Sequence, residues 1–250
     1  MSNLTDREYL INVFRDTIIY AREISSRFTE SIKINIDDII LRKTKQKYNP
    51  VIIVVNQDII RTILDEPERC LVLNLACFYI AGGGVVKGSM AQEEEIARKT
   101  DYMLHSYRGI YPLKLNEIVF TSNVKILKDE NYNKINKSFI KEFDMLAVAA
   151  IKNPKLINNK FSYEDRNITY RKIESIFKFA ILYNYEIIIL GALGCGAYHN
   201  PVEEIIEIFN ECIIKYGNNF KKIIFSVYSQ RDRIIPNNFN LFNNLIIKSI

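Results

Sequence analysis

The chain has 250 residues, 48% of them hydrophobic, which is enough to bury a sizeable core, and a formal net charge of +5 carried by dispersed lysines and arginines. No apolar run approaches the roughly 18 residues of a membrane span, and the N-terminus carries early acids without a signal-like apolar segment. These features exclude an integral helical membrane protein and predict a soluble, intracellular protein of one domain. The modest, scattered positive charge does not indicate a nucleic-acid binder, but it would steer a polyanionic substrate. Cys70, Cys77, Cys195 and Cys212 lack CxxC or other metal spacing, which predicts reduced thiols, and His105 and His199 as the only histidines argue against a zinc site.

In chain order, residues 4–27 place Leu10, Val13, Phe14, Ile18, Ala21 and Ile24 at helical spacing, with Thr5 or Asp6 as cap. Residues 31–49 stay open: Ile32, Ile34 and Ile36 alternate as in a strand, whereas 39–41 is a continuous apolar run followed by basic residues. After Pro50, the β-branched run 51–55 reads as a strand bounded by Asn56, Gln57 and Asp58, and Ile59, Ile60, Ile63 and Leu64 read as a helix. Residues 71–75 have the length and branching of a buried strand, and a helix with acids in its first turn is expected from Gln92 to near Tyr107. Between them, Gly82, Gly83 and Gly84 let a ligand approach the main chain without meeting a Cβ. Amides of such a loop beside a helix N-terminus suit phosphate. The same loop brings Glu93, Glu94 and Glu95 beside that phosphate, which points to chemistry as well as binding.

Further on, 118–120 and 124–127 predict two short strands around a turn at Thr121, Ser122 and Asn123, and 145–150 predicts another. Residues 128–141 form a charged, Asn-rich excursion, and 166–183 a helix. The apolar run 186–190 is a buried strand, followed by a second glycine-rich loop, GALGCGAYHNP, at 191–201. Asn200 as cap, Pro201 at the first helical position and Glu203 three residues after the cap predict a helix to about Tyr216, stopped by Gly217. Residues 222–228 supply a last core strand before a polar tail that ends in a short apolar stretch. Strands alternating with helices predict an α/β fold with a mixed, largely parallel central sheet covered on both faces. Both glycine loops follow strand ends, where such sheets bind ligands.

Two nucleotide-fold patterns fail. Lys87 precedes Gly88, the wrong order for a Walker phosphate loop, and His199 stands where the Rossmann fingerprint begun by Gly194 and Gly196 needs its third glycine. Arg98 fits an intrahelical ion pair, the aromatics around 177–185 fit a core, and Cys195 fits a small residue between glycines, with no base at suitable spacing to make it a nucleophile.

Gly82, Gly83 and Gly84, seven intervening residues, then Gln92, Glu93 and Glu94 resemble the GGG…QEE signature of poly(ADP-ribose) glycohydrolases of the microbial type. The LNLA at 73–76 is similar to that family's LNFA, Arg98 to Thr100 to its Arg-x-Ser/Thr, and GALGCGAY at 191–198 to its GAWGCGVF loop; 49–63 is similar to the strand and helix before the signature. The chain departs from the pattern at Ala81 for proline, Cys77 for Asn or Ser, Leu193 for tryptophan and Tyr198 for phenylalanine. The resemblance implies a three-layer macrodomain-like fold over 1–250, with a helical extension at about 1–48. It further implies hydrolysis of ribose–ribose O-glycosidic bonds. Glu94 would be the general acid and base, and Glu93 would hold the scissile ribose. Asn74 and Gln92 would help position that ribose. Gly82, Gly83 and Gly84, with Gly194, Cys195, Gly196, Ala197 and Tyr198, would form two walls around the diphosphate and distal ribose.

Poly(ADP-ribose) or ADP-ribosylated macromolecules would be the substrate and ADP-ribose the product. No metal, redox cofactor, membrane or stable protein partner is implied, and the location would be cytoplasmic or nuclear. A helix N-terminus favours an ionised carboxyl. Burial, the like charges of Glu93 and Glu95 and a bound diphosphate are expected to outweigh it and raise Glu94 in the complex. The alternatives are a hydrolase of mono-ADP-ribosyl groups, a module that binds ADP-ribose without cutting it, and a generic nucleotide-phosphate binder.

Overall fold

The computed structural model describes residues 6–41, 47–105, 107–229 and 237–249. After helix α1 (Asp6–Ile24) come strands β1 (Ile32–Asn35) and β2 (Val51–Val55), helix α2 (Ile59–Asp65), β3 (Leu71–Leu75) and α3 (Gln92–Lys99). Then follow β4 (Glu117–Lys125), β5 (Glu142–Val148), a small hairpin of β6 (Leu156–Ile157) and β7 (Lys160–Phe161), and α4 (Tyr163–Leu182). The chain closes with β8 (Ile187–Leu190), α5 (Val202–Tyr216), β9 (Lys222–Ser226) and α6 (Asn238–Leu245). Seven strands form one mixed sheet in the order β1-β4-β5-β3-β8-β9-β2. The five from β5 to β2 run parallel, whereas β1 with β4 and β4 with β5 are antiparallel.

Period-two alternation divides the strand side chains between two helical layers. Leu71 and Leu73 of β3, Ile188 and Leu190 of β8, and Ile223 and Phe225 of β9 pack with residues of α4 and α5. Val72, Ile187, Ile189 and Ile224 point the other way, into the core shared with α2 and α3. A sheet buried on both faces is the three-layer arrangement expected from the sequence. Because β3 lies at its centre and pairs directly with β8, with Val72 opposite Ile189, both glycine loops leave neighbouring strand ends. That juxtaposition makes the cleft.

Several elements differ from the sequence reading. The two strands expected at 118–127 are one, β4; a bulge with one extra residue between Thr121 and Val124 stands where a turn was expected. Asn123 takes φ +56° there, and its amide donates to Asp144 Oδ1 at 3.0 Å. Helix α3 stops at Lys99 rather than near Tyr107, since Thr100 bridges Ile126 and a 3-10 turn, Tyr102–Leu104, follows. Helix α5 begins one residue later than expected, with Pro201 as N-cap, because the Asn200 side chain turns inward instead of capping. The open segment 31–49 supplies edge strand β1, and its residues 42–46 lie outside the described ones, as does Thr5.

The N-terminal segment is packed into the domain. Helix α1 lies against α3: the Thr17 hydroxyl meets the carbonyls of Val13, at 2.9 Å, and Arg98. Buried Lys128 donates to Val13 O at 2.9 Å and pairs with Asp16 at 2.8 Å. No described helix is long and apolar enough to cross a membrane.

Candidate active site

The loops after β3 and β8 enclose a cavity of about 360 Å³. Gly83, Gly84, Gln92, Glu93 and Glu94 line one wall; Gly194, Gly196, Ala197 and Tyr198 line the other. The three remaining candidates stand behind these surfaces. Asn74 is fully buried, the Gly82 amide points at a carboxylate, and Cys195 is buried with its thiol toward Leu193 O at 3.6 Å. Burial pushes the Cys195 thiol up, away from the thiolate range of a nucleophile.

The three consecutive glutamates occupy three different environments. Glu93 is 2% exposed and accepts four donors: the amide of Cys77 at 2.6 Å on Oε2, and on Oε1 the amide of Gly82 at 3.0 Å, the Tyr102 hydroxyl at 3.1 Å and Asn74 Nδ2 at 3.4 Å. Burial pushes its pKa up to about 7. The Glu94 charge adds to the rise, while the Cys77, Gly82 and Tyr102 donors oppose it. Glu94, 7% exposed, accepts the amides of Gly84 at 2.8 Å and Ala91 at 3.1 Å, the latter capping its own helix. Burial would raise Glu95, but Lys99 at 2.9 Å and Arg98 at 2.5 Å outweigh it and hold the carboxyl below its usual range. The Tyr132 hydroxyl also binds Glu95, at 2.8 Å. Its negative charge is therefore neutralised, so the repulsion expected from the triplet comes from a pair. In the free protein burial raises Glu93, whereas the expectation from the sequence concerns Glu94 in the complex.

Local structure explains why these residue types stand here. Gly83 has φ +52°, and a Cβ on it would lie 2.6 Å from Glu94 Oε1 and 3.2 Å from Glu93 Oε2, so a side chain would displace both acids. Gln92 joins strand to helix: its Oε1 accepts the Leu75 amide and its Nε2 donates to Leu73 O, each at 2.8 Å. These two bonds fix the start of α3 against the end of β3, and so fix the acids against the loop. Cys77 holds Glu93 through its backbone, so replacing a polar side chain at this position leaves that contact intact.

The second loop is organised by Asn200, whose Nδ2 lies 2.8 Å from Ile151 O, 3.1 Å from Tyr198 O and 3.2 Å from Gly194 O. Gly194 has φ +74°, and a Cβ there would meet Asn200 Nδ2 at 2.5 Å and Ala150 Cβ at 2.6 Å. Tyr198 reaches across to the first loop, where its oxygen accepts the Phe78 amide at 3.0 Å; burial raises its pKa to about 12. Phenylalanine could not make this link.

Gln57, Asp58, Ala150, Ser226, Tyr228 and Asn238 also line the cavity and were not singled out in the sequence. Asp58 had a signal: it ends the 51–55 strand run, where α/β sheets bind ligands. It caps α2 through the Ile60 amide at 2.9 Å and accepts Lys99 Nζ at 2.7 Å. Asn238 had none, because nothing in its neighbourhood shows that α6 returns to the cleft.

Residues 8–129 match the family described as microbial-type PARG, catalytic domain. This bears out the resemblance carried by the triple glycine and the acids. The fold is that of bacterial poly(ADP-ribose) glycohydrolase structures. The enzyme from Thermomonospora curvata is 15% identical with a TM-score of 0.78, covering 96% of this chain and 100% of that one. Its complex with the inhibitor ADP-HPD gives 15% identity and a TM-score of 0.76, over 95% and 99% of the two chains. The enzyme from Deinococcus radiodurans in complex with ADP-ribose gives 14% and 0.70, over 91% and 95%. No curated protein matches the chain significantly.

Proposed function

We propose that this protein is a poly(ADP-ribose) glycohydrolase that cleaves ribose–ribose O-glycosidic bonds and releases ADP-ribose. The observation that carries the reading is the pair Glu93 and Glu94, held by amides of the triple-glycine loop on one wall of a cleft whose other wall is a second glycine loop. Neighbouring carboxyls whose environments differ can take different roles at one glycosidic bond, one exchanging protons and the other holding the sugar. Glu94 protonates the departing ribose oxygen as the glycosidic bond breaks and then takes a proton from the attacking water, so the net reaction adds one water. Glu93 accepts hydroxyls of the scissile ribose, and Asn74 and Gln92 support it by fixing Glu93 and the helix start. Gly83 and Gly84 face Gly194, Gly196, Ala197 and Tyr198 across the diphosphate and distal ribose, with Gly82 and Cys195 supporting the two walls from behind. The step as written uses no metal or redox partner. An intracellular location accords with four unpaired cysteines.

Incubation with purified poly(ADP-ribose) tests the reading. The wild type should release ADP-ribose, and Glu94→Gln should bind ADP-ribose yet lose at least about a hundredfold in turnover. Wild-type turnover by Glu94→Gln would remove the role given to Glu94. Release from singly modified targets, but not from polymer, would reassign the protein to mono-ADP-ribosyl hydrolysis.

A further inference from the structure

Behind Glu93 lies a buried group of hydroxyls outside the cleft. Tyr102, fully buried just after α3, donates to Glu93 Oε1 at 3.1 Å and accepts Asn74 Nδ2 at 3.4 Å. The Tyr107 ring meets Tyr102 edge-on with centroids 5.3 Å apart, and Tyr111 meets Tyr107 in the same way at 6.1 Å. Tyr107 OH lies 3.2 Å from Thr121 Oγ1, which lies 2.8 Å from Ser31 Oγ at the edge of the sheet. Among the described residues, no hydrogen-bond partner reaches the buried Tyr111 hydroxyl or Asn74 Oδ1.

A phenol can partner a carboxyl in both of its charge states, donating to the anion and accepting from the acid. The other contacts of Glu93 are two backbone amides, which only donate, and Asn74, which donates as placed and could accept only by turning its whole amide over in a fully buried site. Tyr102 is therefore the contact, among the described residues, that can follow Glu93 through a change of charge. As it turns to accept from the neutral acid, its own proton is freed to turn toward the Tyr107 and Tyr111 side of the pocket.

We propose that Tyr102 is a positioning residue that sets the charge of Glu93, and through it the pH range in which the acid pair works. The catalytic consequence rests on the glycohydrolase reading, whereas the action of Tyr102 on Glu93 does not. The titratable groups facing Glu93 are Cys77 of the first loop, Glu94 of its own helix, Tyr102, Tyr107 and Tyr111 behind it, and Tyr198 of the second loop. Glu95 is engaged by Arg98 and Lys99. Burial and the Glu93 charge hold the Tyr102 phenol well above its ordinary range, so it keeps its proton near neutrality.

Carbon-13 NMR of the glutamate carboxyls in the free, full-length protein reads Glu93 without substrate. Tyr102→Phe should raise its titration midpoint by about one pH unit, since one hydrogen bond to the charged form is lost. 3-Fluorotyrosine at position 102 keeps the ring and is a stronger donor, so it should lower the midpoint. The pH limb of kcat/KM on polymer should move with both. A folded Tyr102→Phe protein, or the fluorotyrosine protein, with the wild-type midpoint would overturn the assignment. If the midpoints move but the wild type releases nothing from polymer, the assignment of Tyr102 stands and the glycohydrolase reading fails.

Discussion

The two glycine loops look alike in the sequence and do opposite work in the structure. In the first, the amides of Cys77, Gly82 and Gly84 are directed at the chain's own carboxylates, Glu93 and Glu94. In the second, no carboxylate is held among the described residues: Asn200 ties the carbonyls together, and a Cβ on Gly196 would meet nothing within 4 Å. The first loop is thus foremost a holder of acids, and the second leaves the more open backbone surface, where the proposed function puts the diphosphate. The lesson is that a glycine run near a helix start predicts close approach to the backbone. It does not say whether an internal or an external anion makes that approach.

Substitutions can break this contrast. The largest effect on chemistry is expected from Gly83→Ala, where the new methyl would push on both acids and a left-handed φ adds strain. Turnover should fall about a hundredfold, as for an angstrom-scale misplacement of catalytic groups, and chemical denaturation should register a loss of about 1–3 kcal/mol. Next comes Asn200→Ala, which leaves the carbonyls of Ile151, Gly194 and Tyr198 without their shared donor; a cost of about 2 kcal/mol is expected, with ADP-ribose affinity lowered in calorimetry. Gly196→Ala should leave stability within about 0.5 kcal/mol, because the methyl enters open space, while weakening ADP-ribose binding from the cleft side. Equal destabilisation by Gly83→Ala and Gly196→Ala would erase the distinction between the loops.

The smallest expected effect needs no mutation. Because burial lifts Glu93 to about 7, its anionic form grows as pH rises from 6 to 8 and draws harder on the amides that bind it. In amide NMR spectra the Cys77 and Gly82 protons should shift downfield with a midpoint at about pH 7, while Gly194 and Gly196 stay in place. Movement of the second loop with the same midpoint would show that the two walls titrate as one unit.

Much of the fold was legible in the chain. β3, β8 and β9 were readable from their apolar, β-branched runs, because strands inside a sheet covered on both faces are largely apolar, and β2, the half-exposed strand at one edge, was readable from an unbroken β-branched run of its own. The opposite edge of the sheet was not: β1 is short and half exposed, and the bulge in β4 places polar Ser122 and Asn123 inside a strand, so both were misread or left open. Asn200 carries the composition of a helix cap but serves three loop carbonyls, a choice settled by where Ile151 and Gly194 lie. Asp58 and Asn238 reach the cleft from opposite ends of the chain, which no local pattern encodes.

The sequence by itself determined the order of strand, triple glycine, helix and acids, because backbone freedom and hydrophobic periodicity are local properties. Only the tertiary structure decided the surroundings that set the three acids apart. Glu93, Glu94 and Glu95 are identical in covalent structure and adjacent in the chain. What separates them is desolvation and company: the Cys77 and Gly82 amides, Asn74 and Tyr102 around Glu93, the Gly84 amide and its own helix start for Glu94, and two cations against Glu95. Those surroundings come from β3, from two separate turns and from the far side of α3, and they exist only once the chain has folded.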